Sequence, residues 1–344
     1  MSEMSVLHME LGRDSYDVVV ERGVLKRAGA LLNLNRRVLL LTDSGVPARY
    51  VQKVQSQCKE AQAVCLAPGE ANKCPEKYLE ILKVMAEARF DRGDCVVAVG
   101  GGVIGDLAGF VAATYMRGVD FYNLPTTLLS QIDSSVGGKV AIDFEGYKNL
   151  VGAFYQPKKV LIDPDTLETL DRRQFACGMA EAIKMFATSD KEAFERLEDR
   201  SVGMPVEEVI GRALKVKMQV VQEDEKEKGL RKVLNFGHTV GHAVESISSK
   251  EPYPLLHGEC VGIGMLALTE GSVRDRIARL LHRYDLPTAC RCGKEALSAA
   301  LVHDKKAESE RIAVVLVPEI GRFVFEKMSV AEITEKSGEV LAYQ

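Results

Sequence analysis

The first half of the chain alternates short apolar runs with segments of helical spacing. The runs RVLLLTDS (37–44), CVVAVGGG (95–102) and KVLID (159–163) are almost continuously apolar, which is typical of strands covered on both faces. Between the strands, residues 75–89 and 103–115 repeat apolar side chains at helical intervals. This alternation predicts βαβ units and a largely parallel, Rossmann-like sheet.

From about residue 165 the apolar pattern becomes helical. The stretches 165–188 and 205–229 have a period of about 3.6 residues and end at glycine or polar residues. One β-rich pair, RIAVVLVPEIGRFVFEKM (311–328), predicts a hairpin inside this helical half. We therefore predict an N-terminal Rossmann-like domain over residues 1–165 and a mainly α-helical C-terminal domain over residues 166–344.

Composition narrows the class of protein. The chain has 344 residues, of which 46% are hydrophobic and 27% charged, and its net charge is -4. These values are typical of a soluble globular protein and give no general affinity for nucleic acid. No apolar run is long enough to span a bilayer, and the eight cysteines are scattered, with Cys290 and Cys292 in CRC rather than CxxC. We therefore expect reduced thiols and a cytoplasmic location.

Three of the six histidines fall within residues 230–258. His238 and His242 are four residues apart, so on a helix they share one face, and His257 follows shortly after. Imidazole is the commonest metal ligand, and catalytic zinc usually takes three protein ligands. Glu181, in the apolar helical stretch GMAEAIK, adds a carboxylate. Spacing leaves open which of His238 and His242 is a ligand, and whether these histidines instead cap or pack helices.

The stretch CVVAVGGGVIGDLAGF (95–110) predicts a strand, a glycine turn and a helix. Glycines let backbone N–H groups approach a pyrophosphate, and a helix N-terminus favours its charge. The spacing is not GxGxxG, so a tight structural turn remains the alternative. TDSG (42–45), PGEANK (68–73), and Thr126 with Thr127 follow other strands. The ends of parallel strands are where open sheets bind ligands.

Further polar residues stand among glycines and apolar residues. Asp133, Lys139, Lys148 and Asn149 lie in the stretch 133–154. Arg117 stands in YMRGV, Lys217 on an apolar-periodic helix, and Arg231 and Asn235 one turn apart beside the histidines. A metal, a nucleotide turn and a basic lining together predict a metal-assisted, nicotinamide-dependent reaction on a small anionic polyol.

Six motifs carry a resemblance to a known family. They are GGGVIGDLAGFVAATYMRGV, LPTTLLSQIDSSVGGKVAID, GYKNLVGAFYQP, GMAEAIK, GLRKVLNFGHTVGHAVE and LLHGECVGIGM, and DKK (304–306) matches more loosely. With these motifs in this order, the chain resembles the 3-dehydroquinate synthases, within the sugar-phosphate cyclases. The resemblance implies the two-domain fold described above, NAD, zinc and a homodimer. Cobalt can fill a similar ligand set.

The resemblance also implies a role for each site residue. The implied zinc ligands are Glu181, His238 and His257, so that His242 becomes a substrate-side proton relay. The implied NAD contacts are Asp43, Glu70, Lys73, Gly102, Val103, Ile104, Gly105, Asp106, Thr126, Thr127, Lys139, Lys148, Thr166, Leu167, Glu168 and Thr169. The implied substrate contacts are Asp133, Lys139, Asn149, Lys184, Lys217, Arg231, Asn235 and His242, with Arg117 reaching the partner subunit's site and Lys305 or Lys306 as further candidates.

The implied substrate is 3-deoxy-D-arabino-heptulosonate 7-phosphate, and the implied product is 3-dehydroquinate of the shikimate pathway. The family oxidises the C5 hydroxyl with NAD, eliminates phosphate, returns the hydride, opens the ring and closes the carbocycle by an aldol step. Gly45 departs from the family, which often has asparagine there. The alternatives are cyclases that make inosose, valiolone or aminodehydroquinate, metal-dependent alcohol dehydrogenases, and a catalytically silent binding protein.

Overall fold

The chain forms two compact units in the computed structural model. The structure describes residues 4–199, 201, 203–304 and 311–341. The first unit is Met1–Leu170 and the second is Asp171–Gln344. The division interrupts the helical pattern predicted over 165–188, because Asp171 caps a new helix there by accepting hydrogen bonds from Arg173 N and Gln174 N.

The first unit is built around a mostly parallel sheet. Its strands are β1 Ser5–Met9, β2 Tyr16–Val20, β3 Arg37–Asp43, β4 Glu60–Leu66, β5 Cys95–Gly100, β6 Asp120–Pro125, β7 Lys139–Phe144, β8 Tyr147–Phe154 and β9 Lys159–Ile162, and its helices are α1 Ala28–Leu31, α2 Ala48–Gln55, α3 Pro75–Glu87 and α4 Gly102–Thr114. Within the described residues, seven strands form one sheet in the order β1-β2-β9-β6-β5-β3-β4. Only the β1–β2 pairing in it is antiparallel. The predicted Rossmann-like sheet is confirmed.

The central strands are buried on both faces, as their apolar runs predicted. On β3, Leu39 and Leu41 join the core that contains α3 and α4. The alternate residues Val38 and Leu40 join the opposite core, which contains α2. Successive side chains of a strand point to opposite faces, so a continuously apolar run supplies two cores at once.

The hairpin of β7 and β8 was not predicted. The two strands pair antiparallel outside the main sheet, and Val140 of β7 packs against α4 so closely that a Cβ on Gly109 would lie 2.3 Å from it. Most of β8 is exposed, so neither buried-strand runs nor a clean alternation marks it in the sequence.

The second unit is helical with one hairpin, as predicted. Its helices are α5 Arg172–Ser189, α6 Lys191–Glu198, α7 Val206–Glu223, α8 His238–Ser248, α9 His257–Ala267, α10 Gly271–Arg283, α11 Lys294–Asp304 and α12 Val330–Lys336, and the hairpin is β10 Ile312–Glu319 with β11 Arg322–Met328. No helix in the described part of the chain is both long and apolar enough to cross a membrane.

Helix α9 packs against α8 and α5 at backbone distance. A Cβ atom on Gly264 would lie 1.9 Å from Gly237 O, and one on Gly241 would lie 3.0 Å from a carbonyl oxygen of α9. On the α5 side, a Cβ on Gly258 would lie 2.4 Å from Cys177 O. The two approaches below 3.0 Å, at Gly264 and Gly258, leave no room for a Cβ atom, so both positions need glycine. We call Gly237, Gly241, Gly258 and Gly264 the seam glycines. They allow close packing of α5, α8 and α9, the three helices that carry the candidate metal ligands.

Candidate metal, anion and nucleotide sites

The three clustered histidines meet in the second unit. Helix α8 begins at His238, so His238 and His242 share one face, as their spacing predicted. His257 is the first residue of α9. The possible ligand atoms of the three imidazoles all lie within 4.8 Å of one another, and this arrangement could hold a metal ion.

The Glu181 carboxylate lies beside two of these imidazoles. Its Oε1 atom is 3.4 Å from His257 Nε2 and 3.6 Å from His238 Nε2. The side chain is 1% exposed, and among the described residues neither carboxylate oxygen meets a donor in hydrogen-bonding geometry. Its Oε2 atom is 2.6 Å from Lys184 Nζ. A buried carboxylate oxygen without a hydrogen bond, beside two imidazole nitrogens, fits a divalent cation.

The Nδ1 atoms of the His238 and His257 imidazoles each lie beside an oxygen acceptor of the protein. His238 Nδ1 lies 3.2 Å from Phe236 O, and His257 Nδ1 lies 3.1 Å from Glu245 Oε2. A proton on each Nδ1 leaves Nε2 free to bind a metal, which is the usual arrangement of metal-bound histidine. Glu245 was not predicted from the sequence, because only the packing of α8 on α9 brings it to His257.

Burial and charge set the protonation of these groups. Burial alone would raise the pKa of Glu181, but Lys184 and then the two imidazoles outweigh it and hold the pKa well below its ordinary value. Burial, followed by repulsion from Lys184, lowers the pKa of His238 to about 3. Burial also acts to lower the pKa of His257, but contacts with Glu181 and Glu245 outweigh it and raise the pKa to about 10. A cation bound at His257 therefore displaces a proton.

Cationic side chains of the second unit are buried. Lys184 is 1% exposed, Arg231 3% and Lys217 5%. Arg231 Nη1 donates to Glu225 O at 2.6 Å, and Asn235 Nδ2 donates to a glutamate carboxylate of the same loop at 3.0 Å. Lys184 Nζ also lies 2.6 Å from Glu181 Oε2. Lysine and arginine are the side chains that proteins use to bind carboxylates and phosphates, so these residues suit an anionic ligand.

The glycine turn of the first unit leads from β5 into α4, as predicted. Helix α4 begins at Gly102, and no side chain in the described ranges caps its N-terminal N–H groups. Ser134 Oγ is buried without a hydrogen-bond partner among those residues, and a Cβ on Gly102 would lie 3.0 Å from it. Free N–H groups beside an unpaired hydroxyl fit a phosphate group. Ser134 was not predicted from the sequence; it lies in a π-helical turn after Thr126 and Thr127.

The structure brings Lys73, Asp106 and Asn149 together in the first unit. Lys73 Nζ lies 2.5 Å from Asp106 Oδ2 and also donates to Asn149 Oδ1. Glu70 Oε1 is 3.9 Å from the same ammonium group. Asn149 has a φ of 54°, and its N–H donates to Asp143 Oδ1 at 2.8 Å. The resemblance implies NAD contacts for Glu70, Lys73 and Asp106 but a substrate contact for Asn149, and all four lie in this one group.

The remaining candidates of the first unit lie on the hairpin and at strand ends. Lys139 and Lys148 are exposed on β7 and β8, and Asp133 is half-buried in the π-helical turn. At the end of β3, Asp43 Oδ1 accepts a hydrogen bond from Gly45 N at 2.8 Å. A Cβ on Gly45 would lie 2.9 Å from that oxygen, so an asparagine at position 45 requires the carboxylate to shift.

The other candidates occupy a 3-10 turn and an exposed loop. Thr166, Leu167, Glu168 and Thr169 lie in the turn Pro164–Thr169, where Thr166 Oγ1 donates to Asp163 O at 2.8 Å. Arg117 is exposed, and both it and the preceding methionine have positive φ, 68° and 49°. Such strain in non-glycine residues often marks functional positions. Lys305 and Lys306 lie outside the described residues.

Two family descriptions match adjoining parts of the chain. The description "3-dehydroquinate synthase N-terminal" matches residues 63–177, and "3-dehydroquinate synthase C-terminal" matches residues 178–307. The chain is 40% identical to the 3-dehydroquinate synthase of Clostridium acetobutylicum, over 96% of this chain and 98% of that protein.

Solved structures agree with this match at the level of the fold. A 2-deoxy-scyllo-inosose synthase bound to carbaglucose-6-phosphate, NAD+ and Co2+ has a TM-score of 0.87 at 23% identity, covering 98% of this chain and all of that one. A 2-epi-5-epi-valiolone synthase of Streptomyces hygroscopicus with NAD+ and Zn2+ has a TM-score of 0.84 at 27% identity, covering 97% and 98%. The family descriptions and the full-length relative place this chain in the 3-dehydroquinate synthase family.

Proposed function

We propose that this protein is a 3-dehydroquinate synthase, a carbon–oxygen lyase that converts 3-deoxy-D-arabino-heptulosonate 7-phosphate to 3-dehydroquinate and phosphate. The observation that carries the proposal is the buried Glu181 carboxylate between His238 and His257, with Lys184 beside it, in a chain of this family. Metal ligands next to buried cations suit a hydroxylated anion as substrate.

The metal in this proposal is zinc, with cobalt as a chemically similar substitute. Glu181, His238 and His257 are its ligands, while Phe236 O and Glu245 hold the outer imidazole nitrogens. The neighbouring cyclases were solved with Zn2+ in one case and Co2+ in the other, which supports the choice. His242 is then the proton relay, and its exposed imidazole is accessible to a substrate hydroxyl.

The first unit is the proposed NAD-binding domain. The free N–H groups at the start of α4 and Ser134 Oγ suit the pyrophosphate, and the Asp43 carboxylate suits a ribose hydroxyl. Both neighbouring cyclases were solved with NAD+. The remaining proposed contacts are Glu70, Lys73, Val103, Ile104, Gly105, Asp106, Thr126, Thr127, Lys139, Lys148, Thr166, Leu167, Glu168 and Thr169.

The second unit is the proposed metal- and substrate-binding domain. Arg231 presents a planar fork suited to a carboxylate, and Lys184 and Lys217 supply compact charges suited to a carboxylate or phosphate. Their burial strengthens each attraction, because little water screens it. Asn235 adds a neutral hydrogen bond, and from the first unit the proposal takes Asp133, Lys139 and Asn149.

In the proposed reaction, bound NAD would accept and return a hydride at the C5 carbinol, whose hydroxyl the metal would acidify. The protein's residues hold the substrate anion, exclude water and move a proton at the imidazole of His242. Much of the rate enhancement then comes from positioning, because the substrate's own phosphate can accept a proton. The reaction is redox-neutral overall.

We also propose that the protein acts as a cytoplasmic homodimer in which Arg117 reaches the partner subunit's site. The exposure of Arg117 and the strained backbone that presents it support this role. Most soluble homo-oligomers are symmetric dimers, so each subunit would give one Arg117 and receive one.

One assay tests the proposal as a whole. The protein is incubated with the heptulosonate phosphate, zinc and a catalytic amount of NAD, and phosphate and 3-dehydroquinate are quantified together. We expect equal amounts of both products without net NADH. Faster cyclisation of glucose 6-phosphate or sedoheptulose 7-phosphate would reassign the substrate within the cyclases, and steady accumulation of NADH would indicate an alcohol dehydrogenase.

A further inference from the structure

A pair of thiols lines a cavity in the second unit, and none of the candidate metal ligands is among the residues that line it. The sulfur atoms of Cys290 and Cys292 lie 3.2 Å apart. The cavity has a volume of about 760 Å³, and its walls include the last turn of α8 and the loop that leads to α9. Cys290 is 5% exposed and Cys292 is half-buried, so a small solute in the cavity reaches Cys292 first.

The backbone holds Cys290 in place. Its N–H donates to Val340 O at 2.9 Å, and Cys290 and Leu341 form a parallel bridge. Cys292 follows two residues later, after Arg291, and precedes α11, which begins at Lys294. The thiols are therefore neighbours in the folded chain itself. Closing 3.2 Å to a bond of about 2.05 Å needs a limited side-chain movement.

The surroundings favour two-thiol chemistry over metal binding. Zinc held by cysteine usually takes four ligands. Among the residues that the structure describes, His238, His242 and His257 are the group whose ligand atoms lie close enough together to share a metal ion. Neither Cys290 nor Cys292 belongs to this group. Two adjacent thiols without a third ligand can still undergo two-electron oxidation. We propose that Cys290 and Cys292 form a reversible intramolecular disulfide, with a hydroperoxide as the oxidant.

The two thiols differ in the way such a reaction requires. The hydrogen bond between the sulfurs lowers the pKa of Cys292 and raises that of Cys290, whose burial acts in the same upward direction. Cys292 is thus the nucleophile, because the thiolate is the reactive form. The Cys292 thiolate attacks hydrogen peroxide, an S–O bond forms and the O–O bond breaks. The departing hydroxide takes up the proton that the Cys292 thiol released and leaves as water. Cys290 sulfur then displaces the second hydroxide, which leaves with the Cys290 proton as water.

Peptide mapping of the full-length, metal-loaded protein tests the proposal. The protein is treated with hydrogen peroxide, its remaining thiols are alkylated, and it is digested with trypsin. Trypsin cleaves after Arg291, between the two cysteines, so an intramolecular disulfide joins the peptides 284–291 and 292–294. We expect this linked pair at a mass lower by two hydrogen atoms than the sum of the reduced peptides, and its disappearance after reduction.

Two variants separate this chemistry from general oxidation. In Cys290→Ser, Cys292 lacks its resolving thiol, so a cyclic 1,3-diketone should capture a sulfenic acid at Cys292 that the wild type does not accumulate. Cys65→Ser removes an exposed cysteine of the first unit and should leave the linked pair unchanged. Alkylation of both thiols after peroxide treatment would overturn the proposal, as would a Cys290 or Cys292 disulfide formed only between two chains.

Discussion

At the scale of single residues, the candidate metal site depends on groups that contact the ligand side chains without being ligands themselves. Glu181 supplies the buried carboxylate, but Phe236 O and Glu245 decide which nitrogen of each imidazole faces it. The sequence predicted the histidines and, through the resemblance, their division into ligands and proton relay. It could not predict Glu245, because no spacing relates a residue of α8 to the first residue of α9.

The two histidines of α8 should behave differently when replaced. His238→Ala removes a nitrogen beside Glu181 and should abolish stoichiometric zinc, together with activity. His242→Ala should keep the zinc and lose most phosphate release, since the proton relay is gone. Metal content by mass spectrometry beside the phosphate assay checks both. Loss of metal from His242→Ala with retention in His238→Ala would reverse the assignment.

Glu245→Ala should weaken zinc binding without removing a ligand. Loss of the contact at His257 Nδ1 frees the imidazole to turn and makes its Nε2 less basic, so affinity should fall about 10- to 100-fold. Competition with a zinc chelator measures this affinity. Glu245→Gln retains an oxygen acceptor and should fall between the wild type and the alanine variant. An unchanged affinity in Glu245→Ala would show that the contact does not orient the ligand.

At the scale of elements, the seam glycines position the helices that carry the ligands. The 3.6-residue spacing of apolar side chains predicted the helical segments, because this spacing shows which face of a single helix is apolar. It carries no information on which helices pack together. The closeness of α8 to α9 could not be read from it, because Gly237 and Gly264 are far apart in sequence and their contact depends on packing. Local pattern likewise failed for β8, whose side chains are mostly exposed.

The same substitution should have opposite effects at two helical glycines. Gly264→Ala puts a Cβ 1.9 Å from Gly237 O, so the helices must separate, and the free energy of unfolding should fall by about 3 kcal/mol. Gly211→Ala in α7 meets nothing within 4 Å and should raise it by about 0.5–1 kcal/mol. Urea unfolding measures both. Equal effects would mean that α8 and α9 are not packed at backbone distance.

The junction of α5 and α6 predicts a pH dependence of stability. Burial acts to raise the pKa of Asp190, but the fork of Arg212 and then Ala193 N–H outweigh it and hold the pKa below the ordinary 3.8. The contribution of Asp190 is therefore complete above pH 3.8 and is lost as the pH falls through the depressed pKa.

Asp190→Asn tests this pH dependence, because asparagine still caps α6 but cannot pair as a charge. Unfolding at neutral pH should show a loss of about 1 kcal/mol, as the pair is partly exposed. The difference from the wild type should shrink as the pH is lowered below 3.8. A difference independent of pH would assign the effect to packing rather than to charge.

At the scale of the whole molecule, the chain matches its relative from Clostridium acetobutylicum over almost its full length. Composition and apolar pattern predicted the order of a parallel-sheet domain followed by a helical one. The individual activity came from motifs instead, since neighbours with different products share the fold. The structure describes one chain, so the role of Arg117 at a dimer interface stays a prediction.

Mixing two inactive variants tests whether Arg117 acts between subunits. Arg117→Ala and His242→Ala each disable every site of a homodimer. In a mixed dimer, the site with intact His242 receives Arg117 from the other subunit, so the purified mixed dimer, with one of its two sites complete, should have about half of wild-type activity. Co-expression with two affinity tags yields the mixed dimer for the assay. An inactive mixed dimer would mean that Arg117 serves its own subunit's site.

The seam glycines also bear on motion. Helices joined through backbone contacts have no side-chain rotamers to order at those contacts, so little conformational entropy remains to be lost when a ligand binds. Hydrogen exchange at the amides of α8 and α9 should therefore be slow in the zinc-free protein and change little on adding zinc. In Gly264→Ala the same amides should exchange quickly without zinc and more slowly once zinc is added. The variant would then bind zinc more weakly because binding must first order α8 and α9, although every metal ligand is still present.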